Sequence, residues 1–538
     1  MVRVLWLTLL GLALAPLGGC ATPPPSAAGR AGMDGESLLG APPPSPVQLV
    51  QFEDSSLSKK PEEAEVESPV IRFPDSPAEP LEGSADSAAS APLPLDDVIG
   101  SVYLSFPLLE AALRERQIAD GERVSAAGEF DLKLKGTSEN QPAGYYQTYR
   151  QSVGFVQPLY TGGEFFTGYR IGRGTFEPWY LGRQTNGAGE FKAGVSIPLS
   201  RNRQIDERRA QLWRSAWDRK LVEPEIQTQL IEFVRDASYA YWDWIAAGRR
   251  YRIAESILSF AQDRDHGLRR RVEEGDTEEP VLRDNRRLIV SREAKVIDVR
   301  RKLQQSAIKL SLYYRTSEGE PIIPAPDQLP AFPPEPEVSA EQLDSDILQA
   351  LAQRPELKAI DLTRRQLEVA YAQAHNEFRP SIDGFVAGSK DMGAETSYLG
   401  YKTPLEVETG VLVDIPLQRR KARGKMAAVD AKVLQLSAKR RIVSDKITIE
   451  VQSAYAAMVA ALERVTRARE SVVLAGQLAD IERRKLELGE VDLLSVNLRE
   501  LQAAEALDVE VDALLDYFLA RTDYRAALAI DELPSSGE

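Results

Sequence analysis

Two long stretches of the chain carry their apolar residues on one helical stripe. In the first, Ile226, Leu230, Phe233, Ala237, Tyr241 and Trp244 follow in steps of 4, 3, 4, 4 and 3. In the second, Val451, Ala454, Met458, Ala461 and Val465 follow in steps of 3, 4, 3 and 4. This is the period of helices that pack along their whole length. From Arg203 to Glu274 the sole proline is Pro224. A helix of roughly 70 residues at about 1.5 Å rise is a rod on the order of 100 Å long, against roughly 30 Å for a bilayer core. Such rods belong in a bundle, a fibre or a tunnel wall. Each stretch breaks at a glycine, Gly275 or Gly489, and a second helical stretch follows: Pro280 to Tyr314, and Asp492 to Ala527 with Leu494, Leu498 and Leu501 at helical spacing.

A different period precedes each rod. Phe130-Asp131-Leu132-Lys133-Leu134-Lys135 alternates apolar and polar, as a half-buried strand does. Candidate strands are Phe130–Gly136, Arg150–Gln157, Glu164–Gly172 and Glu190–Leu199, then Ser381–Gly388 and Val407–Leu417. The chain repeats itself. Ala193-Gly194-Val195-Ser196-Ile197-Pro198-Leu199 returns as Leu412-Val413-Asp414-Ile415-Pro416-Leu417, 218 residues on. Phe106-Pro107-Leu108-Leu109 matches Arg354-Pro355-Glu356-Leu357 at 248, a spacing kept by Glu129-Phe130 and Glu377-Phe378. Each half reads helix, β, long helix, sharp turn, helix, and a duplication of this kind specifies architecture before chemistry. Between Glu129 and Ile197 lie 68 positions, between Glu377 and Ile415 only 38, so the first β region is enlarged by about 30 residues.

Twelve aromatics fall between Tyr145 and Phe191, in a chain that is 7% aromatic. They read either as the aromatic core of a soluble β subdomain or as the girdle that outer-membrane barrels place at the lipid–water boundary, and the barrel is the favoured reading. A few strands cannot close a barrel alone, and open edges are not tolerated in lipid, so several chains must share one barrel. Basic clusters follow the β segments: Arg201, Arg203, Arg208 and Arg209, then Arg419, Arg420, Lys421, Arg423 and Lys425. They read either as solvated helix starts or as a cationic collar beside phospholipid head groups.

The first residues place the chain. Arg3, the apolar run Val4 to Ala15, and Leu17-Gly18-Gly19-Cys20 form a lipoprotein export signal over residues 1–19, with Cys20 as the lipid-attachment site. Cys20 is the one cysteine, so a disulfide within one chain is excluded. Residues 20–98 are rich in Pro, Ser, Ala and Glu and read as a tether. The first repeat is expected over 99–315, a Pro-rich connection over 316–340, the second repeat over 341–530 and a tail over 531–538. Net charge is −15, which argues against nucleic acid as a partner. His266 and His375 are the two histidines, each without a second ligand at metal spacing. Asp120-Gly121 and Gly162-Gly163 are turn signals, and no phosphate loop or nucleophile elbow is present. No enzyme, cofactor or metal is expected; the covalent lipid on Cys20 is the sole attached group.

The turns between the helices are acidic. Glu273, Glu274, Asp276, Glu278 and Glu279 surround Gly275, and Glu487, Glu490 and Asp492 surround Gly489. Helix capping accounts for part of this: Asp276 or Thr277 suits a cap, Pro280 a first turn, and Asp492 caps the last helix. The remainder suggests an acidic aperture.

The duplicated plan, the two Ile-Pro-Leu strand ends, Arg354-Pro355-Glu356-Leu357 and Leu486-Glu487-Leu488-Gly489 resemble TolC-type outer-membrane efflux proteins over roughly residues 95 to 530. The resemblance implies a mainly α chain with a membrane β-barrel part, assembled as a homotrimer. Three copies of four strands and four helical rods would form a shared outer-membrane β-barrel above a periplasmic α-barrel tunnel. It implies the exit duct of a tripartite efflux or secretion system, with a periplasmic adaptor and an inner-membrane pump as partners, in contact with outer-membrane lipid. Ala21 after the cysteine implies sorting to the outer membrane. Some members carry acidic gate residues where this chain has Ser495 and Leu498. The alternative is a periplasmic coiled-coil adaptor or scaffold lipoprotein; two hairpins and an aromatic β region favour the duct.

Overall fold

The computed structural model describes residues 91–336, 340–396 and 405–531. The export signal, Cys20, the tether up to residue 90 and the tail after Asp531 lie outside the described residues. Folded chain begins earlier than the expected boundary at 99, because helix α1 (Leu95–Ser105) buries Val98, Ile99 and Val102. Helix α2 (Pro107–Ala127) starts on Pro107, and its counterpart in the second half, α6 (Pro355–Glu377), starts on Pro355. Proline at a first helical position loses no helical hydrogen bond. The repeat seen in the sequence is thus a repeat of helix starts. Helix α5 (Leu343–Gln353) precedes α6 as α1 precedes α2.

Six strands follow these helices in two groups. β1 (Lys133–Gln141), β2 (Thr148–Pro158), β3 (Glu164–Gly174) and β4 (Glu190–Pro198) belong to the first half, β5 (Ser381–Asp391) and β6 (Glu406–Asp414) to the second. They form one antiparallel meander in the order β1-β2-β3-β4-β5-β6. All six candidate strands are present, against the four per chain that the resemblance implied. Strand β1 begins three residues later than the alternation suggested, because Gly128–Phe130 close a 3-10 turn at the end of α2. Pairing with Thr148–Val156 of β2 then carries it on to Gln141.

The rods are α3 (Glu207–Glu273) and α7 (Arg420–Glu487), returning as α4 (Glu279–Leu310) and α8 (Leu493–Ala527). Every stripe residue of the second rod is buried, and in the first Phe233 alone is partly exposed. Residues 316–336 of the Pro-rich connection lie as a strap along the helices. Leu329 packs onto α3 at Gly248, where a β-carbon would collide with it. The Leu93 N–H donates to Gln328 O at 2.9 Å, and the Tyr517 hydroxyl donates to Pro336 O at 3.1 Å. Phe332 stacks near Trp242 and Phe518, whose rings lie 4.2 Å apart. One apolar seam thus joins α1, α3, α8 and the strap. Among the described residues no helix is long and apolar enough to cross a membrane.

Trp242 is 6% exposed at the centre of that seam. Trp242→Ala should cost about 3–5 kcal/mol, read as a lower denaturant midpoint for loss of helical signal.

Candidate functional site: a two-faced sheet above a double helical tip

Strand register sorts the side chains of the sheet onto two faces. On one face Leu134 lies opposite Phe155, Val153 opposite Tyr169, Tyr169 opposite Phe191, Val195 opposite Val386 and Ile382 opposite Val413. These are apolar or aromatic cross-strand pairs that stabilise a sheet. The Tyr169 and Phe191 rings lie 4.9 Å apart. Yet the face is uncovered: Leu134, Val153, Phe155, Phe191, Val386 and Val413 are all large, apolar and exposed. The cations Arg173 and Lys390 on this face sit at the strand ends away from the helices.

The opposite face is polar. Arg150 pairs with Glu139 at 2.5 Å, and Arg170 donates to Glu190 at 2.7 Å. Lys192 on β4 reaches across β5 to Glu408 on β6 at 2.7 Å. Between these pairs lie small residues under aromatic rings. Phe166 packs over Gly194 and Phe385 over Gly410, each ring occupying the space a β-carbon would need. A sheet that is apolar on one side, charged on the other and nine to eleven residues long per strand has the dimensions and pattern of a membrane barrel wall.

The basic clusters beneath the sheet divide: Arg203, Arg420, Lys421, Arg423 and Lys425 are exposed, Arg201, Arg208 and Arg419 half-buried, and Arg209 internal. Arg209 is 4% exposed and serves the fold: it bonds Asp206 at 3.0 Å and donates to the carbonyls of Asn202 and Arg203. Arg208 also reaches Asp206, and Lys425 pairs with Glu377. Asp206 caps α3 by accepting from the Arg209 N–H.

At the far end, each rod closes in the same way. Gly275 and Gly489 adopt φ of 81° and 78°. The Gly275 N–H bonds to Val272 O and Asp276 N–H to Arg271 O; Gly489 N–H bonds to Leu486 O and Glu490 N–H to Lys485 O. This is the glycine-ended helix cap in which a left-handed residue turns the chain. Neither Asp276 nor Thr277 caps α4. Its N-cap is Glu278, without a side-chain bond, because the Asp276 and Thr277 N–H groups fold back onto Arg271. Asp492 does cap α8, accepting from the Ser495 N–H at 2.9 Å. Bonds from the Ser495 hydroxyl and N–H hold its carboxyl below the usual range.

The two tips meet. Leu268, Leu282 and Leu493 form a buried cluster with Val272, Val281 and Leu486, so Gly275 and Gly489 lie at one end of the molecule. Glu273, Glu274, Asp276, Glu278, Glu279, Glu490 and Asp492 are all exposed there. The first tip is not acidic throughout: six acids and six arginines share residues 269–287. The acids occupy the outermost turn, with Arg269, Arg270 and Arg271 behind them. Leu494, Leu498 and Leu501 face outward, while the buried stripe of α8 runs through Leu493, Val496, Glu500 and Ala504.

Glu500 was missed in the sequence. It is 2% exposed and binds Arg264 of α3, Arg292 of α4 and Arg483 of α7, the latter two at 2.9 and 3.0 Å. One carboxylate thus ties all four rods together just above the tips. Its signal was a glutamate on the buried stripe of α8.

Comparison with known proteins gives the fold. No family model matches the sequence, and no curated protein matches it. Solved structures match the chain over most of its length. VceC, an outer membrane protein of Vibrio cholerae, is 15% identical at TM-score 0.58, over 82% of this chain and 97% of that one. The CmeC outer membrane channel of Campylobacter jejuni is 12% identical at 0.56, over 88% and 96%. The MtrE outer membrane channel of Neisseria gonorrhoeae, in its open state, is 14% identical at 0.57, over 81% and 88%.

Burial pushes the Glu500 carboxyl up, but Arg264, followed by bonds from Arg292 and Arg483, more than offsets this and holds it below the usual range. A depressed carboxyl contributes stability above its unfolded pKa, about 4.3, and that stability is lost as pH falls through the folded value. Glu500→Gln should therefore destabilise the tips by about 3–5 kcal/mol at neutral pH, by leaving buried arginines uncompensated. Hydrogen exchange of the tip amides should rise at pH 7 and show a smaller acid-side change than in the native chain.

Proposed function

The chain has the fold of TolC-type channels, and we propose that it acts as they are built to act: as an outer-membrane exit duct. The observation that carries this reading is the sheet. Its exposed apolar face demands a lipid neighbour, its charged face demands water, and its edges β1 and β6 have no partner among the described residues. Three copies closing into one homotrimer satisfy all three demands. The helical rods then line a tunnel on the periplasmic side. No step in such a duct makes or breaks a bond. Cargo passes through, handed on by an inner-membrane pump and a periplasmic adaptor. Lipid on Cys20 would tether the chain to the same membrane. A soluble adaptor has no use for an uncovered face of Phe155, Phe191 and Val386, which disfavours that alternative.

The tips Glu273, Glu274, Gly275, Asp276, Glu278, Glu279, Gly489, Glu490 and Asp492 form the periplasmic aperture in this reading. The outermost carboxylates present negative charge to adaptor and solute, with arginines one turn behind them. Screening reaches such exposed groups over roughly 10 Å at 0.1 M salt, so docking should weaken as salt rises.

Mass measurement of the purified protein in mild detergent tests the assembly, with a trimer expected; a stable monomer that keeps its β content would end the shared-barrel reading. Replacing Glu273, Glu274, Glu278 and Glu279 with Gln should lower cation selectivity in planar bilayers and reduce crosslinking to the adaptor, with the trimer intact. Unchanged selectivity and unchanged crosslinking would leave these acids as solvated turn residues.

A further inference from the structure

The duplication shows which strands are additional. Lys133 and Ser381, the first residues of β1 and β5, are 248 apart, the spacing already kept by Pro107 and Pro355. Ile197 and Ile415, at the ends of β4 and β6, keep the 218 spacing. Strand β1 therefore corresponds to β5 and β4 to β6. In the second half these strands are neighbours; in the first, β2 and β3 stand between them. The inserted unit is a hairpin. An even number of strands is required, because β4 must still end on the side where α3 begins.

The inserted hairpin is built as wall. Its two strands are 11 residues each, like β5. They pair along their length with each other, and β1 and β4 flank them in the same sheet. They continue both faces: Val153, Phe155 and Tyr169 on the apolar side, Arg150 and Arg170 on the charged side. Gly154 and Gly168 oppose one another so closely that a β-carbon on either would meet the other strand's backbone. A hairpin lying outside the ring would have no reason to match its neighbours in length, register and facing.

We propose that three copies close an eighteen-stranded barrel, in which β1 of one protomer pairs with β6 of the next. This rests on the shared-barrel reading and sharpens it. The two edges suit one another. Three six-stranded meanders alternate up and down without interruption, so the β6–β1 joint is antiparallel like every other. On the water-facing side an antiparallel joint sets Lys133 at the start of β1 beside Asp414 at the end of β6, while Glu139 and Glu408 toward the other end each already have a cation partner, Arg150 and Lys192. At about 4.8 Å between strands and a tilt near 40°, eighteen strands give a ring about 36 Å across, against about 24 Å for twelve. The helical rods number four per chain in either case. Widening is confined to the membrane section, whose paired charges and Gly and Ser positions suit bulky hydrated solutes. The narrowest passage then lies in the helical part.

Electron cryomicroscopy of the trimer in lipid nanodiscs counts the strands directly. Eighteen strands and a ring near 36 Å are expected. A trimer with a twelve-stranded ring near 24 Å, the β2–β3 hairpin standing outside, would overturn the inference and leave the duct reading intact. Absence of a trimer would overturn both. The joint has its own test in native membranes. Thr137→Cys combined in turn with Glu406→Cys, Glu408→Cys and Leu412→Cys should give covalent dimers and trimers under oxidation in at least one pairing. Purely monomeric chains in all three, from preparations that are trimeric by mass, would exclude β1 as the joining edge.

Discussion

A peptide group without a hydrogen-bond partner is costly wherever water cannot reach it, and the two open edges of this sheet turn that cost into a constraint on the whole assembly. Strand β1 at one edge and β6 at the other offer full rows of donors and acceptors. Side-chain patterning makes the problem acute, because one face of the same sheet carries an exposed apolar band from Leu134 to Val413, with Asn140, Gln151, Arg173 and Lys390 toward the strand ends away from the helices. A chain that inserted alone would put both edges into hydrocarbon. In the proposed duct, closure with further copies would remove the edges, enclose the charged face and set the stoichiometry of the helical part.

The helical part answers to a different requirement. Rods of 67 and 68 residues must hold register over their length. Apolar stripes do this in the upper and middle sections, where the strap at Leu329 and Phe332 seals α3 against α8. Near the tips, apolar packing thins to the Leu268, Leu282 and Leu493 cluster, and the Glu500 cluster takes over. A buried carboxylate among three guanidiniums is directional where leucines are not. It favours one relative setting of α3, α4, α7 and α8, and is costly to break.

Much of this was legible in the sequence because the informative signals were periodic. Stripe steps of 3 and 4 gave the rods, Gly275 and Gly489 gave the turns, and the 248 and 218 spacings gave the repeat. Strand positions followed from alternation, to within a few residues. What escaped was set by partners far away in sequence. The Pro-rich connection could not be read as a packed strap, because nothing in its sequence announces that Gly248 leaves space for Leu329. Asp276 read as a cap because its composition suits one, while the backbone fold-back onto Arg271 displaced it. Glu500 could not be singled out among the many helical carboxylates without Arg264, Arg292 and Arg483 converging on it. The enlarged first β region was visible, but only register shows that its added strands continue the sheet between β1 and β4.

The central claim is that one face of the sheet meets lipid and the other meets water. Single spin labels placed in turn at residues 191, 192, 193, 195, 196 and 197 of β4, in protein reconstituted into bilayers, measure it; Gly194, which has no room for a side chain, is left native. Positions 191, 193, 195 and 197 should be accessible to oxygen and shielded from a water-soluble nickel complex. Positions 192 and 196 should show the reverse, in keeping with a period of two along the strand. Equal exposure to the nickel complex at all six would mean that the sheet lies in water on both sides, and the account would fail.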